Sequence, residues 1–264
     1  MKHKKYNNMK NLIFTAIIVF FFDLSSNAQN VNNTVEISGQ VTDFTGTPID
    51  SAIVQLLHPN FSEAYSTYSD ANGNYKLKDV KKGIYLAMYV IRPKEYPRKN
   101  AVPQEDMRLE FWAWNVIADN DLTINPRYGR LELYGLNAFM VIGGGSGIFL
   151  YVRPMSLGKL LGYNSDIYTN KSKLEEVVDI NVYPEHFKAE VFVNDKSVKI
   201  NSIQKVEEIA ATENKSATIG YLINIDYNIT KKPEKPLKIR VVGENTELKE
   251  KGENICFFKI EDYQ

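Results

Sequence analysis

The chain has 264 residues, with 32 Lys and Arg against 32 Asp and Glu, so its formal charge is zero. No basic field is available to hold a nucleic acid. The length suits one or two domains, and the single cysteine, Cys256, excludes an internal disulfide.

In chain order, Met1 to Lys10 carries Lys2, Lys4, Lys5 and Lys10. Leu12 to Phe22 is apolar apart from Thr15, and Ser26-Asn27-Ala28 supplies small residues before Gln29. This is the layout of a secretory signal peptide over residues 1–28. The apolar run is about half of the roughly 20 residues needed to span a bilayer, so no transmembrane anchor is expected after cleavage. No cysteine lies near the cleavage position, so lipid attachment is not expected either. Removing the four lysines and Asp23 leaves a net charge of about −3.

The stretch from Val35 to Val90 alternates in period two and is broken by turn residues at short intervals, as in a small β-sandwich. Val35-Glu36-Ile37-Ser38-Gly39-Gln40-Val41 has one apolar and one polar face. Gly46 and Pro48 make a turn, and Ala52, Val54 and Leu56 share a face. Asn72-Gly73 predicts a hairpin that leads into Tyr75 and Leu77. Gly83 precedes Ile84 to Val90, a run suited to a central strand.

The residues Gly39-Gln-Val41, Asp43-Phe-Thr-Gly46-Thr-Pro48, Ala52-Ile-Val54, Asp70-Ala-Asn-Gly73-Asn-Tyr75 and Gly83-Ile-Tyr85 resemble the carboxypeptidase regulatory-like, or transthyretin-like, domain. The resemblance implies a seven-stranded prealbumin-like sandwich over residues 35–118. Its last strand is expected near Met107 to Trp114, after a segment stiffened by Pro93, Pro97 and Pro103.

Residues 119–264 predict a second β-rich unit, with a possible division near Asn170. Strands are expected at Arg130–Tyr134, Asn137–Ile142, Ile148–Val152 and Ala189–Val193, then around Tyr221–Tyr227, Leu237–Val241 and Asn254–Ile260. Gly143 to Gly147 and Asn194-Asp195-Lys196 read as turns, and Lys231 to Pro236 as an exposed loop. Met155 to Tyr163 suits a short helix or a loop. Ile203, Val206 and Ile209 stand at near-helical spacing, which predicts a helix over Ser202 to Ala211 with Ser202 as its N-cap. The fold class expected for the whole chain is all-β.

Catalytic chemistry finds little foothold. A zinc peptidase needs His-x-x-Glu and a distant His, whereas His58 precedes Pro-Asn-Phe and His186 precedes Phe-Lys-Ala. Asp70-Ala-Asn72-Gly73-Asn74 begins like a calcium loop, but Gly73 is fourth and Lys81 twelfth, where Gly at the sixth and Glu at the twelfth position are required. The Gly143 to Gly147 run lacks the Gly-Lys-Ser/Thr ending of a phosphate loop. Cys256, next to Phe257 and Phe258, reads as a buried inert thiol. The expectation is no enzyme, no metal and no cofactor.

Trp112 and Trp114 share a strand face by their spacing. Large aromatics are mostly buried, so this face is expected to be the core, with Phe111 and Ala113 looking outward. A wet face would instead stack sugar rings. Trp112, Trp114, Tyr128 and Tyr134 are accordingly the candidate ligand-binding residues. Asp50-Ser51-Ala52 has the form of a bacterial O-glycosylation site, and an outward Ser51 beside an inward Ala52 explains it equally well.

The leading expectation is an exported, non-enzymatic β-module protein of a Gram-negative envelope, in an adaptor or interaction role. It would sit in the periplasm, at the outer membrane or in the medium, with an envelope protein or a glycan as its partner. The alternatives are a carbohydrate-binding protein and a plug-like component associated with TonB-dependent receptors. The last rests on a faint likeness of Val193-Asn-Asp195, Ile203 to Ile209, Lys215 to Gly220 and Ile223-Asn-Ile225 to plug motifs. The leader generates a first prediction. Mass spectrometry of the exported protein should find Gln29 as its first residue, and an intact Met1 to Phe22 segment in membranes would contradict this.

Overall fold

The computed structural model describes residues 33–141, 147–170, 172, 178–208, 218–227 and 233–260. The signal-peptide segment, most of the Gly143 to Gly147 turn, the end of the predicted helix at 209–211 and Lys231-Lys232 lie outside the described residues. Among the described residues no helix is long and apolar enough to cross a membrane.

The protein is all-β. Its strands are β1 (Thr34–Gln40), β2 (Ile53–Leu57), β3 (Glu63–Tyr68), β4 (Asn74–Lys81), β5 (Gly83–Ile91), β6 (Phe111–Ala118), β7 (Leu122–Thr123), β8 (Leu131–Phe139) and β9 (Ile148–Ser156). Helices α1 (Leu157–Leu161) and α2 (Ser165–Tyr168) come next. The remaining strands are β10 (Phe187–Val193), β11 (Lys196–Val198), β12 (Ile200–Glu208), β13 (Thr218–Ile225), β14 (Leu237–Asn245) and β15 (Glu250–Phe258).

Among the described residues they form three sheets. A central eight-stranded sheet runs β11-β10-β14-β15-β6-β5-β2-β3. A three-stranded sheet, β4-β1-β7, and a four-stranded sheet, β12-β13-β9-β8, complete the set. The first core lies between the central sheet and the three-stranded sheet, with Ile37, Val54, Leu56, Leu77, Val90, Phe111 and Ala113 fully enclosed. The second fills the space between the central and four-stranded sheets, from Leu133, Leu150, Val152, Tyr221, Ile223, Ile239 and Val241. The central sheet is covered on both faces at its middle, so alternate residues of β15 serve different cores: Ile255 and Phe257 the first, Cys256 the second.

The motifs that carry the family resemblance are folding devices. The Asp43 carboxylate accepts from the backbone N–H groups of Thr45 at 2.8 Å and Thr47 at 2.9 Å, which fixes the turn through Gly46. Asp70 does the same for Asn72 and Asn74 at 2.9 and 2.8 Å. Burial raises the Asp43 pKa, but the hydrogen bonds from Thr45 and Thr47 and the Arg108 charge outweigh it and hold the carboxyl below its usual range. Tyr75 is enclosed, and its hydroxyl donates to the Ile124 carbonyl at 2.7 Å.

Four expectations need correction. The Asn72-Gly73 turn is not a hairpin between paired strands, because β3 belongs to the central sheet and β4 to the three-stranded sheet. It is an arch between layers, and Asn-Gly signals only the left-handed backbone that such a turn requires. The last strand of the first region is Phe111–Ala118 instead of Met107 to Trp114, since Gln104–Asp106 form a 3-10 turn. Asn137 opens no new strand: β8 runs on through it, with an irregularity between Tyr134 and Asn137. Residues 202–208, predicted helical, belong to strand β12, which pairs with β13 from Ile200↔Ile225 to Glu208↔Thr218. Nine residues of ladder outweigh a weak three-residue apolar spacing.

Gly73 has φ +76°, and a Cβ added there would lie 2.3 Å from the Val41 carbonyl oxygen. Gly73→Val should therefore destabilise the fold by about 2 kcal/mol or more, from left-handed strain and overpacking together. Urea denaturation checks this, and an unchanged midpoint would show that the arch tolerates a side chain.

Candidate functional site

Phe111 and Ala113 are fully buried in the first core, so they do not look outward as expected. Trp112 and Trp114 point to the opposite face and are half-buried. Both expected environments are interior because β6 is a central strand with layers on either side. The indoles stack on each other, with ring centroids 4.8 Å apart and planes 9° from parallel. Tyr89, directly across the β5–β6 ladder, packs against Trp112 at 4.4 Å. Tyr134 meets Trp114 edge-on at 6.0 Å, and the Arg153 guanidinium lies 4.8 Å from the Tyr134 ring centre. Three of the four candidate ligand residues thus form one cluster. Tyr128 is apart from them, enclosed in the first core with 1% of its surface exposed.

Tyr134, at the end of this row, lines a cavity of about 430 Å³. Tyr96, Arg98, Glu110, Glu132, Tyr134 and Arg153 line its polar side, and Leu109, Met155, Leu157, Leu160 and Ile180 its apolar side. Period-two geometry explains the arrangement. Glu110 stands two residues before Trp112 and Glu132 two before Tyr134, so each carboxylate shares its neighbour's face. The β8–β9 register sets Glu132 opposite Met155 and Tyr134 opposite Arg153. Leu109 is held by a bond from its N–H to the Gly129 carbonyl at 2.9 Å. Helix α1 is capped by Ser156, whose hydroxyl accepts from the Lys159 N–H at 3.1 Å. The buried Glu250 carboxylate accepts in turn from Ser156 Oγ at 2.5 Å and from the Gly158 N–H at 2.6 Å.

The carboxylates were missed in the sequence, and they carry the unusual electrostatics. Glu132 is 4% exposed. Oε1 of Glu132 and Oε2 of Glu110 are both shut off from solvent without a hydrogen-bond partner among the described residues. Burial pushes the Glu110 carboxyl up to about 7, against the lowering influence of Arg98 and of the donors on Trp112 and Tyr96. Burial also pushes Glu132 well above the ordinary range, and the Glu110 charge adds to the rise. Burial raises the phenols of Tyr89 and Tyr96 as well, with Glu110 contributing to each. Arg153 is engaged elsewhere, 2.7 Å from a Glu208 carboxylate oxygen that belongs to β12. The Tyr151 hydroxyl donates to the same carboxylate group.

Other sequence candidates lie away from the cavity. His58 is exposed in the β2–β3 turn, and His186 is half-buried in the turn before β10. Cys256 is buried, and burial pushes its thiol up to about 12. Ser51 is exposed with φ 54°, and its hydroxyl donates to Asp50 at 3.1 Å.

With this architecture in view, the chain carries a carboxypeptidase regulatory-like domain, whose family model matches residues 36–89. No curated protein matches the chain. Among solved structures, BcpA, the major pilin subunit of Bacillus cereus, is similar at 11% identity and a TM-score of 0.25, covering 85% of this chain and 69% of that one. The full-length major pilin SpaD from Corynebacterium diphtheriae is similar at 8% identity and a TM-score of 0.24, covering 84% of this chain and 64% of that one.

A raised folded-state pKa gives a definite pH dependence. A carboxyl that keeps its proton in the native state stabilises the fold below the unfolded pKa of about 4.3, and this contribution is lost as pH rises through about 7. Relative to Glu110→Gln, the wild type should lose stability as pH rises from 4.5 to 7.5. Urea melts of both proteins at the two pH values measure the difference. Equal changes in both would show that Glu110 titrates as an ordinary carboxyl.

Proposed function

We propose that this chain is an exported, non-enzymatic β-module protein of a Gram-negative envelope with an adaptor or interaction role. Residues 35–118 act as the module, and residues 119–264 add specificity. The leader layout and the family match at residues 36–89 support this reading. The observation that carries it is Phe61. It occupies the left-handed region at φ 64° and exposes 56% of its surface in the β2–β3 turn. That turn is locked by bonds from the His58 N–H to the Ser62 carbonyl and from the Phe61 N–H to the His58 carbonyl, each 2.9 Å. Gly or Asn suits this backbone, whereas a bulky aromatic strains it and gains no burial. Strain of this kind marks a functional position. Tyr68 and Ile84 of the same domain are also exposed, at 66% and 68%. Tyr68 lies at the far end of β3 from this turn, so Phe61 is the side chain on which the reading of a contact with an envelope protein rests.

A glycan partner is the weaker reading. Trp112 and Trp114 present their faces to each other and to Tyr89, so no pair of open indole planes is offered to sugar rings.

Photo-crosslinking from benzoylphenylalanine at position 61 in cells should capture one envelope protein. Phe61→Asn should raise stability by about 1 kcal/mol while weakening co-purification of that protein about tenfold. An unchanged yield with the Asn variant would overturn the adaptor reading.

A further inference from the structure

The cavity beside β6 and β8 has a chemistry that neither the fold nor the adaptor role uses. We propose that it is a binding site for a monocationic ligand, an ammonium group on an apolar stem, held by Glu110 and Glu132. This proposal stands independently of the adaptor reading, because Phe61 is not among the residues that line the cavity.

The first support is unmet hydrogen-bonding demand. A buried carboxylate oxygen without a donor carries a desolvation cost that folding does not return. Two such oxygens, on Glu110 and Glu132, belong to side chains that line one cavity. Both are acceptors, and although the buried N–H groups of Trp112, Trp114 and Arg153 Nε also lack partners, an ammonium supplies three donors that reach two carboxylates at once.

The second support is charge. Glu110 and Glu132 are faced by Arg98 and Arg153, by the phenols of Tyr89 and Tyr96, and by the Trp112 indole. Glu208 already compensates Arg153 at 2.7 Å. Exposed Arg98 offsets one carboxylate and leaves one negative charge when both are ionised. A monocation balances that charge. A neutral polyol does not, and an anion increases it. The third support is the lining: Leu109, Met155, Leu157, Leu160 and Ile180 suit an apolar stem, while the rings of Tyr96 and Tyr134 already carry the guanidinium groups of Arg98 and Arg153.

Binding then couples to protonation. At acidic pH the two carboxyls retain a proton, and an arriving cation must displace it. One proton leaves for each ligand bound, and affinity rises with pH until both carboxyls ionise freely.

The test is calorimetric titration of the purified protein with phenethylammonium at pH 6 and pH 8, in buffers of different ionisation heat. Binding should tighten about tenfold between the two pH values and release close to one proton. The neutral isostere 2-phenylethanol should bind at least tenfold more weakly. Glu132→Gln should weaken phenethylammonium binding at least tenfold, and Glu110→Gln should flatten the pH dependence. Both variants remove a buried charge, so both should fold, and a thermal melt verifies it. If either fails to fold, the other variant and the wild-type pH profile decide. No binding of phenethylammonium, equal binding of 2-phenylethanol, or a pH-independent affinity would overturn the proposal. Methyl glucoside binding in preference to the ammonium would overturn it in favour of a sugar site.

Discussion

The whole arrangement depends on the last strand. β15 lies in the middle of the central sheet, between β14 and β6, and runs parallel to β6 through only two register pairs, Ile255↔Ala113 and Cys256↔Trp114. Asn254 completes this short seam. It is wholly buried, its Oδ1 accepts from the Trp112 N–H at 3.3 Å, and its Nδ2 donates to the Leu133 carbonyl at 2.6 Å. One amide thus ties β15 to both β6 and β8. The approach to β8 is close enough that a Cβ on Gly252 would lie 1.9 Å from the Leu131 carbonyl oxygen. Glu253 adds two bonds from Arg127, at 3.0 and 2.5 Å, and Glu250 reaches Ser156 and Gly158. Replacing Asn254 by an apolar residue would leave the Trp112 N–H and the Leu133 carbonyl without this partner, a larger loss than the net value of the bonds.

The cavity is a by-product of that seam. β6 and β8 lie in different sheets, and β15 brings them together at the level of Trp112 and Leu133. Glu110 and Glu132 stand just before those contacts, where they line one cavity with Tyr96 and Tyr134. The regulatory-like motifs, by contrast, are accounted for by turns. Asp43 and Asp70 bind backbone N–H groups of their own loops. Chemistry and fold therefore reside in different stretches of the chain.

Sequence pattern revealed the alternating strands well, because a strand with one buried face writes its geometry directly into period two. The turn at Asn194-Asp195 was equally legible, and both residues have positive φ, at 48° and 65°. Layer assignment was not legible. Nothing local in Asp70 to Asn74 says that the chain changes sheets there, since an arch and a hairpin ask for the same backbone. The β12 strand was misread because it lies at a sheet edge with its residues largely exposed, so its few apolar positions lacked the alternation of a buried face. At the site, the aromatic residues attracted attention by type, while Glu110 and Glu132 looked like ordinary surface charges. Their burial follows from a contact between β6 and β8 that only the distant β15 creates.

The position of β15 has a consequence for the order of events when the protein folds. Residues 36–89 supply half of the buried side chains of the first core, yet Ile255 and Phe257 must join it, and β6 keeps an unpaired edge until residues 250–258 arrive. The domain at the start of the chain therefore cannot finish while later segments are still missing. Its closing contact spans about 140 residues of sequence, and such long-range pairing makes folding slow. During that wait β6, with Phe111, Trp112 and Trp114, is an open hydrophobic edge prone to joining another chain. A protein built in this way benefits from escort until β15 is in place, and loss of residues 250–258 would damage the first core as much as the second.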